Sequence, residues 1–67
     1  MKVQLNGEDR ELSPESSIPD VLAILGFDAV RGVAVAVDGE VIPRSQWDGF
    51  RLAGGMRVEV LRAVQGG

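Results

Sequence analysis

One stretch limits the fold more than any other. In SPESSIPDVLAILGF, Ile18, Val21, Leu22 and Leu25 recur at i, i+3, i+4 and i+7, which is one apolar stripe along a helix. Ser17 stands as an N-cap with Asp20 three residues on, and Pro19 falls in the first turn, where a missing N–H does no harm. Gly26 supplies the stop. The predicted helix is only about two turns long, too short to persist alone in water. Its stripe must therefore lie on strands, and one helix over one sheet is a two-layer α+β domain.

The strands are written in alternation. In MKVQLNGEDREL, Met1, Val3 and Leu5 fall on one face and Lys2, Gln4 and Asn6 on the other. Asn6-Gly7 is a turn signal because both residues tolerate positive φ, and Arg10 to Ser13 is expected to return as a second strand. GVAVAVDGEVIP predicts a strand, a tight Asp38-Gly39 turn and a short strand ended by Pro43. Val33, Val35 and Val37 alternate there with Ala34 and Ala36, so this strand is expected to be buried on both faces, with a helix or neighbouring segment close against the alanines. RSQWDGFRLAGG is irregular apart from a single helical turn around Ser45 to Trp47. MRVEVLRAV alternates again, with Met56, Val58 and Val60 toward the core, and the strand is expected to run to about Ala63 or Val64. The order implies a mixed sheet of four or five strands holding one helix. Its expected core is Val3, Leu5, Val21, Leu22, Leu25, Val35, Val58 and Val60.

Composition narrows the function. A chain of 67 residues is expected to form one domain over residues 1–67, burying only roughly 60% of its unfolded surface. A net charge of -3 and a pI near 4.7 argue against nucleic acid, which needs a basic face. Nothing approaches the ~20 apolar residues of a membrane span, and Met1-Lys2 leads into a strand pattern rather than a signal peptide, so a cytoplasmic location is the simplest expectation. With no Cys and no His, thiol nucleophiles, Ser/His/Asp triads and the usual zinc sites are ruled out. The ten Asp and Glu residues are spread along turns and strand faces, and a small core leaves little room for a cleft. No side chain is expected to be catalytic and no metal site is expected. The chain does not read as an enzyme acting alone.

The ending, LRAVQGG, is the remaining candidate. It reads either as a frayed terminus or as a working one. If the last strand stops near Val64, three or four residues reach about 10–14 Å beyond it when extended. Val64, Gln65, Gly66 and Gly67 would then form a flexible stalk whose glycines, lacking Cβ, can thread a narrow slot in another protein. The carboxylate at its tip is inert until converted to an acyl phosphate or acyl adenylate. Three further residues are possible partner contacts: Leu61, as an apolar residue beside the tail, and Arg44 and Trp47 in VIPRSQW. The alternatives are a lone surface aliphatic, a solvated arginine and a tryptophan covering a core edge.

Taken together, these residues resemble the ThiS family of thiamine-biosynthesis sulfur carrier proteins, which have the ubiquitin-like β-grasp fold. The resemblance spans essentially the whole chain: the opening strand with Asn6-Gly7, the VLAIL helix, AVAVDGEVIPRSQW and the terminal Gly-Gly. Its most specific parts are VIPRSQW, similar to the family's V-P-R-x-x-W, and the ending. The chain departs from the family at Gly55-Met56, where Gly-Asp is frequent, and carries Gln65 at a variable position. The resemblance implies that an E1-like adenylating enzyme uses ATP and Mg to activate the Gly67 carboxylate. A persulfide protein then supplies sulfur to give a thiocarboxylate, and a thiazole synthase takes that sulfur into the thiazole of thiamine. No cofactor would be bound by this chain itself. The same tail would also serve a carrier for molybdopterin or another sulfur metabolite, or a ubiquitin-like modifier of lysines.

Overall fold

The computed structural model describes residues 1–27 and 32–62. β1 (Lys2–Leu5) and β2 (Glu8–Glu11) form a hairpin, followed by α1 (Ile18–Ile24), a second hairpin of β3 (Val33–Val37) and β4 (Glu40–Val41), a 3-10 turn (Arg44–Gln46) and β5 (Arg57–Arg62). The five strands make one sheet in the order β2-β1-β5-β3-β4. β1 and β5 run parallel at its centre, while the other pairs are antiparallel. This is the mixed sheet and single helix that the sequence implies.

Both hairpins are set by their turns. Asn6 and Gly7 have φ of 52° and 84°, and Asp38 and Gly39 have φ of 52° and 85°. Two consecutive positive-φ residues match the right-handed twist of the flanking strands. A two-residue turn also dictates register, pairing Leu5 with Glu8 and Lys2 with Glu11. The second strand therefore spans Glu8–Glu11 and not Arg10 to Ser13. All four of its residues are exposed, so no apolar alternation marks it.

The helix is closed at both ends. Ser17 Oγ accepts from the Asp20 N–H, and an Asp20 carboxylate oxygen accepts from the Ser17 N–H at 2.9 Å, a complete capping box. At the other end Gly26, at φ 85°, donates to the Ala23 carbonyl and Phe27 donates to the Leu22 carbonyl, the pair of bonds of a Schellman motif. Ile18, Val21 and Leu22 are buried against Val3, Leu5, Val35, Val37, Val58 and Val60 of the sheet. Leu25 is half-buried and packs on the edge of this core.

Irregular segments finish the enclosure. Leu12, Ile42, Trp47 and Leu52 are all buried. The Leu52 N–H donates to the Ser16 carbonyl at 2.8 Å, and a bridge between Ser17 and Arg51 ties the connector to the start of the helix. β3 is covered on one face only: Val35 and Val37 are buried, whereas Ala34 is exposed and Ala36 half-buried. Burial on both faces was the expectation. With one helix, a single layer covers the sheet, and no described element lies over the alanine face. Among the described residues no helix is long and apolar enough to cross a membrane.

Candidate functional site: the outer sheet face and the end of β5

β5 is the central strand and carries the chain toward its end. It is paired to β3 over five of its six residues, from Val37↔Val58 to Val33↔Arg62. On its other side β1 pairs only through Gln4↔Arg57 and Leu5↔Val58. Two turn residues clasp it. The Asn6 N–H donates to the Val58 carbonyl at 2.9 Å, and Asn6 Oδ1 accepts the Val60 N–H at 2.8 Å. Asp38 Oδ1 accepts the Arg57 N–H at 2.9 Å, and the Asp38 N–H donates to the Arg57 carbonyl at 2.8 Å. At the far end the Arg62 guanidinium lies 5.0 Å from the centroid of the Phe27 ring, a cation–π contact between the last residue of β5 and the segment just past the helix C-terminus.

The sheet's outer face carries an apolar strip. Leu61 is 66% exposed and stands opposite Ala34; in the neighbouring row Ala36 stands opposite Val41, which is 68% exposed. Directly opposed residues share a face, so these four side chains line one surface beside the end of β5. Of the partner-contact candidates, Leu61 is the one on this strip. Arg44 is exposed in the 3-10 turn. Trp47 is only 4% exposed, and its indole N–H donates to the Ile42 carbonyl at 2.9 Å, so it occupies the core-edge position. Val64, Gln65, Gly66 and Gly67 lie outside the described residues. Val41 and the alanines were missed as part of this surface; their parity in the β3–β4 hairpin is the signal that places them there.

Among the described residues no three His, Cys, Asp or Glu gather as metal ligands. Two carboxyls are held below their ordinary range, Glu11 by the N-terminal ammonium and Asp20 by the Ser17 N–H and then the Ser17 hydroxyl. The first is a terminal ion pair and the second is helix capping, and neither is catalytic chemistry. A five-stranded mixed sheet with parallel central strands, gripping one helix and with its last described strand at the centre, defines a ubiquitin-like β-grasp domain.

The comparisons with known proteins give the family. The ThiS family model matches residues 3–67. The chain is similar over its full length to a crystal structure of the thiamine biosynthesis protein (ThiS) from Geobacter metallireducens, with a TM-score of 0.84, 26% identity and 100% coverage of both chains. An NMR structure of a thiamine biosynthesis protein from the same organism gives a TM-score of 0.80 at 26% identity, covering 100% of this chain and 88% of that one. A thiazole synthase of Paramagnetospirillum magneticum is 33% identical over 67 residues. This chain spans only 20% of that protein's length. The chain belongs to the ThiS family.

Proposed function

We propose that this chain is a sulfur carrier for thiamine biosynthesis, a protein co-substrate and not an enzyme. The observation that carries the reading is the family match, which runs through Gly66 and Gly67. The similarity of one fifth of a thiazole synthase to this whole chain supports such a synthase as the enzyme that receives the sulfur. In this reading an oxygen of the Gly67 carboxylate attacks the α-phosphorus of ATP on an E1-like enzyme, with Mg balancing the phosphate charge, and pyrophosphate leaves. The outer sulfur of a persulfide protein attacks the acyl carbon and AMP departs. A second thiol, supplied by a partner because this chain has no cysteine, attacks the partner-side sulfur of the resulting S–S bond, forming a new disulfide there and releasing the thiocarboxylate. Val64, Gln65 and Gly66 form the flexible stalk that threads the partner's slot, and the apolar strip around Leu61 docks the domain. Its work belongs in the cytoplasm, where ATP is at hand.

Pyrophosphate exchange with the cognate adenylating enzyme tests this. Deleting Gly67, or extending the chain by one residue, shifts the carboxylate by a Cα step of roughly 3.3–3.6 Å, while reaction needs contact at about 3–3.5 Å. Both changes abolish activation and leave thermal unfolding unaltered. Gly66→Val impairs it by placing a branched side chain in the slot. The intact mass of protein from sulfur-replete cells shows one oxygen exchanged for one sulfur. A tail deletion activated as well as the full chain overturns the proposal.

A further inference from the structure

We propose that Asn6 is a positioning residue for the reactive end of the chain, its side-chain carbonyl setting the heading on which β5 leaves the sheet. The inference rests on the carrier reading above. β1 stops pairing with β5 at Leu5↔Val58, because the backbone turns away into the hairpin at Asn6, φ 52°. The Asn6 side chain takes over where the strand has left. Its Oδ1 accepts the Val60 N–H at 2.8 Å, across 54 residues of sequence, and so continues the β1 side of the ladder by one more bond. On the β3 side pairing runs on to Ala34↔Leu61 and Val33↔Arg62. Among the described bonds, Val60 is thus the last point at which β5 is held from both sides.

The position of that point has leverage. Gly67 lies seven residue steps beyond Val60, up to about 23–25 Å of extended chain. A tilt of about 10° at Val60 displaces an extended end by about 4 Å, more than one residue step. Loosening this bond spreads the directions in which the carboxylate is presented, and binding to the adenylating site must then pay the ordering cost. Asp38 supplies an internal comparison. It too is a turn residue at φ 52° whose Oδ1 accepts a β5 N–H, but that of Arg57, at the strand's opposite end.

The experiment pairs Asn6→Gly with Asp38→Gly, since glycine accepts positive φ and only the side-chain acceptor is lost. Pyrophosphate exchange is measured at a temperature where circular dichroism shows every variant folded, with amide hydrogen exchange on the free proteins. Asn6→Gly raises KM for the carrier on the order of fivefold at unchanged kcat, the pattern of lost uniform binding, and speeds amide exchange at Val60. Asp38→Gly lowers the melting temperature comparably yet leaves KM and Val60 exchange at wild-type values. Asn6→Asp, which keeps the acceptor, restores KM. A wild-type KM in Asn6→Gly, or an equal rise in Asp38→Gly, overturns the inference. A wild-type chain that is never activated sinks the carrier reading and this inference with it, and is told apart because Val60 exchange still separates the two glycine variants.

Discussion

Replacing Leu22 with alanine tests whether the helix is held by its stripe. Leu22 is 2% exposed and belongs, with Val21 and the inward sheet residues, to one core cluster. Truncating a buried leucine costs about 2–5 kcal/mol, the transfer term plus the cavity it leaves. A domain of 67 residues has a total stability of about 3–10 kcal/mol, so this one change consumes a large part of it. At about 4–8 °C per kcal/mol, a loss of about 3 kcal/mol lowers the melting temperature by about 12–24 °C. Trp47, the only tryptophan and 4% exposed, reports unfolding directly in a urea titration followed by its emission. The comparison is Ile24→Ala on the same helix. Ile24 is 49% exposed, and alanine's better helix propensity offsets part of the loss, so the change costs less than about 1 kcal/mol. Equal losses at the two positions, or a loss below about 1 kcal/mol at Leu22, would refute the packing argument.

Three smaller changes probe other parts of the structure. Ser17→Ala removes the cap and costs about 1 kcal/mol in a urea titration. Because the Ser17 N–H lowers the Asp20 pKa in the folded chain, the stabilisation is present above the ordinary carboxylate range and is lost as pH falls through the depressed value; Asp20→Asn flattens that acid limb of the stability–pH curve. Gly39→Ala places a Cβ at φ 85°, where there is open space but a strained backbone, and lowers the urea midpoint by an amount equivalent to about 1 kcal/mol. Leu61→Asp leaves the melting temperature within the scatter of surface substitutions, about ±0.5 kcal/mol, while raising KM in pyrophosphate exchange if the outer strip docks the adenylating enzyme.

The parts of the fold governed by local rules were legible in the residues. Ser17, Asp20 and Gly26 bound the helix where capping chemistry says they should, and Asn6-Gly7 and Asp38-Gly39 are the turns their positive φ allows. The second strand was misplaced for a physical reason: Glu8–Glu11 is charged throughout, and only the two-residue geometry of the turn fixes where it resumes. Leu12, Ile42 and Leu52 are buried from segments without any period, so their place in the core follows from the path of the connector and not from spacing. At the site, the sequence pointed to Leu61 but not to Val41 across the sheet. It read Asn6 only as a turn residue, since a hydrogen bond to a strand 54 residues away leaves no local pattern.

The parallel pairing of β1 with β5 has a consequence for how the molecule is made. The first strand finds its central neighbour in the last described one, and among the described strands it is β5 that joins the β1–β2 hairpin to the β3–β4 hairpin. During synthesis each hairpin emerges without the strand that joins it to the other, and a two-stranded hairpin is marginal by itself. Loop-closure entropy must be met before these distant contacts give any return. Cleavage between Ile24 and Arg57 therefore parts the helix from β5, and the fragment that keeps the helix has at most two unjoined hairpins beneath it. The chain folds as a whole or not at all, and the strand that leads to its terminal glycines is the one that closes the fold.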